Sequence, residues 1–335
     1  MSARKPFHFK AIAFLPFAIL GGSLFAQKFE QPDPQGFSEL FSFTDTCNSY
    51  LIRDGDVAIL IDLGDGTALE HLDEIGVKGI EWVLFTHHHR EQCQGIDEID
   101  RKETQVAAPE GERELFEEPT TFRKWFPSLG DKFSVYGASY SRPPSQPILI
   151  DKAFKDGETF TWRGYEIECL STPGHSPASM SYLIRRKGGA VAFTGGVMHD
   201  GSKMTTWYDS EWDYGFAKGV DALLESVDKL VEKQPVIALP SHGPVIRKAS
   251  AQLKTYKEKL ITFRASYVRG YDVFDATAKE RDPISQPTKF PLMNRVTPHL
   301  YKLNPDSFGK NFYIIISDNG RGLLLDCGLV SQNFL

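Results

Sequence analysis

The residues best placed to do chemistry are three consecutive histidines, in the stretch Phe85-Thr86-His87-His88-His89-Arg90-Glu91-Gln92-Cys93-Gln94-Gly95. They follow the apolar run Trp82-Val83-Leu84-Phe85, which reads as a buried strand. A strand that stops in a histidine cluster puts several imidazoles at the carboxyl edge of a sheet, where open α/β sheets bind ligands. Neutral imidazole is the commonest protein ligand for a transition metal. Side chains alternate along an extended segment, so His87 and His89 share one direction while His88 takes the other, toward packing or an outer hydrogen bond.

Further turns downstream repeat the pattern. Thr172-Pro173-Gly174-His175-Ser176 follows the strand-like Tyr165 to Leu170. Phe193-Thr194-Gly195-Gly196 ends the run from Ala190, and Pro240-Ser241-His242-Gly243 ends the run from Val236. Two of these three turns carry a histidine just past a strand, which a histidine scattered at random through a core would not do.

The order T-H-x-H-x-acid-x-x-x-G, then T-P-G-H-S, then F-T-G, then S-H-G resembles the metallo-β-lactamase superfamily from about Phe37 to Arg247. The resemblance implies an α/β fold, a four-layer αββα sandwich with metal at the common sheet edge. It places His87, His89 and His175 at the three-histidine metal position. Three nitrogen ligands with a fourth position left open is a catalytic zinc arrangement. The second metal position departs from the family pattern. Glu91-Gln92 stands where Asp-His is usual, and Gly196 where a bridging Asp is usual, while His242 is unchanged. The expectation is therefore one Zn2+ rather than two, with iron a lesser alternative. Glu91 is the expected general base, and His242 the expected partner of developing charge or of the leaving group. His199 and Asp200, just downstream of Gly196, could supply a substitute ligand by a loop rearrangement. Thr86 and Ser176 are expected to orient the ligands, and Asp62 is balanced between ordering the metal loop and a plain turn role.

The elements that must position these groups are legible in part. Cys47 to Ile52 and Val57 to Asp62 flank Asp54-Gly55, a hairpin signal. Leu69, Leu72 and Ile75 repeat at helical spacing, and a helix is expected from Glu91, where an acid suits the first turn. Val106 to Pro109 reads as a strand, Glu110 to Phe126 as helical, and Gly130 to Pro147 as an aromatic loop with Tyr136 and Tyr140. Turns at Asp156-Gly157, Arg163-Gly164 and Gly188-Gly189 divide the strands between Ile148 and Phe193. Asp213 to Glu232 and Ala249 to Tyr267 read as helices.

Four segments follow: a signal peptide at 1–26, a catalytic domain at 37–248, a Pro-containing connector at 249–290, and a β-hairpin at 291–335. The last, Asn311 to Gly328, repeats the pattern of Asn48 to Gly64 and reads as the start of a second such domain. Arg4, Lys5 and Lys10 precede the apolar Ala11 to Leu20 and a cut expected before Gln27. That apolar run is shorter than the ~20 residues a spanning helix needs, so cleavage and a periplasmic or secreted protein are expected. Cleavage would take the formal charge from −6 to −9. No basic stripe suggests nucleic acid. Cys47, Cys93, Cys169 and Cys327 form no dense disulfide pattern; Cys47 and Cys169, in strand-like segments, read as buried small hydrophobes, and Cys93 stands beside the histidine cluster but at no ligand position of the motif. The implied activity is water attack on an ester, thioester, lactone, β-lactam or phosphodiester, small molecules among which no residue selects. Two other readings stay open: a catalytically silent protein that binds a ligand or partner, and a mononuclear iron oxidoreductase. Nothing in the sequence sets an oligomeric state.

Overall fold

Alternation along the strands builds the molecule from a shared core outward. In a computed structural model, which describes residues 27–121, 143–204, 218–266, 285–290, 293–303 and 312–325, two six-stranded sheets face each other. The first contains β1 (Leu40–Thr44), β2 (Asn48–Asp54), β3 (Val57–Ile61), β4 (Gly79–Leu84), β5 (Gln105–Pro109) and β6 (Lys152–Phe154), in that order. The second runs β7 (Thr159–Trp162), β8 (Tyr165–Ser171), β9 (Met180–Arg186), β10 (Gly189–Gly195), β11 (Pro235–Pro240) and β12 (Ile246–Arg247). Tyr50, Ile52, Ile59 and Ile61 point from the first sheet into the space between them, where Tyr182, Ile184, Val191 and Phe193 meet them from the second. The intervening residues turn outward. Leu51, Ala58 and Leu60 lie under one outer layer, and Leu183, Ala190 and Ala192 under the other. Covering both faces of each sheet is why these strands read as continuous apolar runs.

The outer layers are helical. On the first sheet lie a 3-10 helix at Thr67–Ile75 and the short helices α1 (Arg90–Cys93) and α2 (Arg113–Glu117), which contribute Leu72, Cys93 and Phe116. On the second lie α3 (Lys218–Lys233) and α4 (Ala249–Ser266), through Leu223, Val227, Leu230, Leu253, Tyr256 and Leu260. The result is the αββα sandwich. The stretch expected to be one helix from Glu110 breaks into 3-10 turns either side of α2, the second of them opening at Pro119. Strand β1, Leu40-Phe41-Ser42-Phe43-Thr44, is an addition to the strands expected from the sequence; it pairs antiparallel with β2.

Strands β3 to β6 run parallel, and β8, β10 and β11 share one direction within the second sheet. Their carboxyl ends therefore gather at one edge. That edge is sewn shut by hydrogen bonds between the sheets. Asn48 N donates to Ser241 O at 2.7 Å, Asn48 Nδ2 to Gly243 O at 2.7 Å, Tyr50 Oη to Pro240 O at 2.7 Å, and Tyr182 Oη to Phe85 O at 2.7 Å. Met180 N donates to Thr86 O at 2.9 Å.

A third sheet follows, of five antiparallel strands: β13 (Gln286–Pro287), β14 (Met293–Arg295), β15 (Leu300–Leu303), β16 (Phe312–Ile316) and β17 (Gly322–Leu325). It is larger than the hairpin read from the sequence and begins inside the stretch read as a connector. The short β13 and β14 carry no periodicity of their own. Cys47, Cys93 and Cys169 are buried free thiols, while Cys327 lies outside the described residues. So do residues 1–26, Tyr136, Tyr140 and Asp213 to Ala217. No helix among the described residues is long and apolar enough to cross a membrane.

Candidate metal centre

The edge positions the histidines through backbone that is already fixed. Phe85 N donates to Ala107 O at 2.8 Å, so the chain leaves β4 still paired to β5. His89 keeps an extended backbone (φ −62°, ψ 142°) before α1 begins. His87 and His89 consequently point one way and His88 the other. His175 arrives from the loop after β8, whose ends are tied by Thr172 N to Ser179 O at 2.8 Å and Ser179 Oγ to Thr172 O at 2.7 Å.

The structure brings His87, His89 and His175 together. All three are at most 4% exposed. Their ring centroids are 4.5, 4.7 and 4.8 Å apart, and one ligand atom from each lies within 4.8 Å of the others. Three buried imidazoles around one point form a donor set suited to a divalent transition metal. The orientation of His87 is enforced from behind. The buried Asp62 carboxylate accepts from Thr86 N at 2.8 Å, Thr86 Oγ1 at 2.8 Å and Ser241 Oγ at 3.3 Å. With its proton given to Asp62, Thr86 Oγ1 accepts from His87 Nδ1 at 2.8 Å, which leaves the Nε2 lone pair for a ligand. Burial pushes the Asp62 carboxyl up to about 7, against the downward pull of these hydrogen bonds. Asp62 thus holds the start of the histidine-bearing loop through Thr86 and also occupies a turn, at φ 57°.

Glu91 lies beside this cluster, and His242 lies beside Glu91. Glu91 Oε1 is 3.9 Å from His89 Nδ1 and 3.8 Å from His242 Nε2. Both side chains are partly exposed, at 25% and 30%. Thr46 Oγ1 donates to Glu91 O at 3.0 Å and so steadies the base of that side chain. The neighbouring Asp45 has its carboxyl pushed up to about 6 by burial, with Asp65 adding to the rise. A carboxyl that holds its proton longer folded than unfolded contributes stability that is complete below about pH 4 and lost as pH rises through about 6. The melting midpoint of the metal-stripped chain should therefore fall between pH 5 and 7. Asp45→Asn should flatten part of that fall, with Asp62 supplying the rest; thermal melts at several pH values check this.

The residues expected at the second metal position are placed as follows. Gln92 is fully buried, and its carboxamide has no hydrogen-bond partner among the described residues. A Cβ added at Gly196 would lie 2.1 Å from His175 Cδ2, so the His175 ring fills the space where a side chain would start. His199 stacks on His242 with ring centroids 6.4 Å apart, its pKa lowered by burial and then by His242 and Lys203. Asp200 Oδ1 accepts from Gln252 Nε2 at 2.7 Å, so this residue would serve as a stand-in ligand only after that bond is broken.

Sequence reasoning missed Glu112. It is fully buried, three residues past the end of β5 at the same edge, and it accepts hydrogen bonds from His88 and from the loop after His175. Burial would raise its carboxyl, but the His88 imidazole and hydrogen bonds from His88, Ser176 and Ala178 outweigh that and hold it below the usual carboxylate range. The available signal was an acid in Pro109-Glu110-Gly111-Glu112, one more strand end at the histidine edge.

Two sheets sharing one histidine-bearing edge, with helices outside both, define the metallohydrolase type of sandwich. The chain belongs to the metallo-beta-lactamase superfamily, whose profile matches residues 43–242. It is 24% identical over 244 residues to the lactamase-like protein nscB of Aspergillus fumigatus, covering 71% of this chain and 58% of that protein. It is 27% identical over 207 residues to an atrochrysone carboxyl ACP thioesterase of the same organism, covering 59% of this chain and 51% of that one. The chain thus spans between half and three fifths of the length of these relatives. Among solved structures it is similar to a mutant of the FEZ-1 metallo-beta-lactamase of Legionella gormanii, with TM-score 0.52, 15% identity, and coverage of 68% of this chain and 93% of that one. It is also similar to a HARLDQ-motif mutant metallo-beta-lactamase of Cronobacter sakazakii, with TM-score 0.51, 16% identity, and coverage of 69% and 95%. These structural likenesses establish the fold.

Proposed function

We propose that this chain is an exported zinc hydrolase with one metal ion, held by His87, His89 and His175. The observation that carries the reading is the buried three-histidine cluster, in which His175 itself fills the space over Gly196. Zinc at such a site lowers the pKa of bound water towards ~7 and polarises the scissile oxygen. Glu91 would take the proton from the attacking water, since its carboxylate lies within 4 Å of a ligand nitrogen and stays partly open to solvent. His242, on the far side of Glu91, would hydrogen-bond the developing negative charge or hand a proton to the leaving group. Thr86 and Asp62 would keep His87 in its ligand tautomer. Among acyl substrates a thioester comes first, because one relative is named as a thioesterase.

The deciding experiment is metal content of the purified chain after dialysis, by elemental mass spectrometry, followed by a screen of thioesters, esters and phosphodiesters. About one zinc per chain with thioester turnover is expected. Iron would move the reaction class to oxidation, two zincs would overturn the mononuclear reading, and no uptake even with added metal would leave a silent binding protein. Glu91→Gln should retain the metal and lose about 10²–10⁴-fold in turnover; undiminished turnover would remove Glu91 as the base. N-terminal sequencing of the exported protein checks cleavage before Gln27.

A further inference from the structure

We propose that Glu112 is a positioning residue for the three-histidine centre, tying the loop that carries His87 and His89 to the loop that carries His175. The inference rests on the metal-binding reading of that cluster. Each carboxylate oxygen serves one loop. Oε2 accepts from His88 N at 2.6 Å and from His88 Nδ1 at 2.8 Å. Oε1 accepts from Ser176 Oγ and from Ala178 N at 3.1 Å. His88 stands between two of the ligands and Ser176 directly follows the third, so the carboxylate grips the chain one residue from every proposed donor.

Closing the fold does not require this grip. The same two loops are already joined at the sheet edge by Met180 N to Thr86 O at 2.9 Å. Glu112 adds the relative setting of residues 88 and 176, and hence of the donors beside them. An ionised carboxylate only accepts, and two oxygens facing four donors fix its orientation fully. The approach is close: a Cβ on Gly111 would meet Ala178 Cβ at 2.6 Å, so the turn carrying Glu112 can sit against the 176–178 loop only with glycine there. His88, which points away from the other two histidines, finds its role here as the second half of the clasp. The apparent run of three histidines divides into two ligands and one handle.

The test compares wild type, Glu112→Gln and Ser176→Ala. Zinc affinity is measured by competition with a chromophoric chelator, cobalt(II) visible absorption reports donor geometry, and thermal melts of the metal-stripped chains report folding alone. An amide in place of the carboxylate puts a donor against either His88 N or the Ser176 side. Glu112→Gln is expected to bind zinc about 10–100-fold more weakly, with shifted cobalt bands. Ser176→Ala, which removes one of four bonds, should lose several-fold and keep the melting midpoint of the stripped wild type. If wild type binds and both variants match its affinity and its cobalt spectrum, the role of Glu112 is overturned, whatever their melting midpoints. If Glu112→Gln does not fold, Ser176→Ala decides by the same two metal readouts. If wild type binds neither ion, the metal reading itself is overturned.

Discussion

The His89→Ala chain is expected to purify folded, without metal and without turnover. His89 is one of three buried donors around a single point, so its removal leaves two imidazoles where three were arranged. The loss should exceed the 10–100-fold typical of groups that only orient a ligand. Folding should survive, because the extended backbone at residue 89 suits alanine and the neighbouring pairing of Phe85 with Ala107 is untouched. His88→Ala is the matched control, one residue away but turned toward Glu112. It should keep most of its metal, weakened only through the clasp. Elemental mass spectrometry and chelator competition on the two variants separate a ligand from its neighbour. A His89→Ala chain that retained wild-type metal content would take His89 out of the ligand set.

Gly196→Asp should lower metal content below one ion per chain instead of raising it to two. The family pattern places a bridging Asp here, so the substitution looks like a repair. In this chain the repair collides with a ligand. The first atom of any side chain at 196 would stand 2.1 Å from Cδ2, 2.3 Å from Cγ and 2.5 Å from Nε2 of His175. Either that ring swings out and its donor is lost, or the sheet edge yields. Overpacking a close-fitted site destabilises by about 1–3 kcal/mol, and here the strain falls on the proposed metal centre itself. Gly196→Ala separates bulk from charge and should fail in the same direction. Adding Gln92→His to Gly196→Asp should not recover the loss, because the ring over residue 196 is unchanged. Metal stoichiometry after dialysis reads all three variants, and two ions in any of them would mean that His175 can move aside.

Much of the scaffold was legible because local chemistry specifies it. Asp54-Gly55 set the first hairpin, and the 157, 164 and 189 glycines marked turns that the structure places at positive φ. Apolar runs ending in Thr-His, Pro-Gly-His and Ser-His marked strand ends that converge on one edge. What eluded sequence reading had no periodic signature. Strand β1 is short, and β13 and β14, of two and three residues, are paired only with their sheet neighbours. Asp200 offered a carboxylate at a plausible spacing, and its hydrogen bond from Gln252 on α4, 52 residues away in the chain, had no local signature.

The sequence by itself determined the strand ends, because turn chemistry and strand alternation act over a few residues; the superfamily and its three imidazoles were legible through the resemblance of the ordered motifs to that family's pattern. Only the tertiary structure decided how those groups are held and what space remains. Glu112 became a clasp because β5 ends beside both histidine loops. Gly196 became a closed position instead of a vacant one because the His175 ring, from a different strand end, lies against it. Both are facts of close packing between segments far apart in the chain, where a shift of about an ångström separates a fit from a clash.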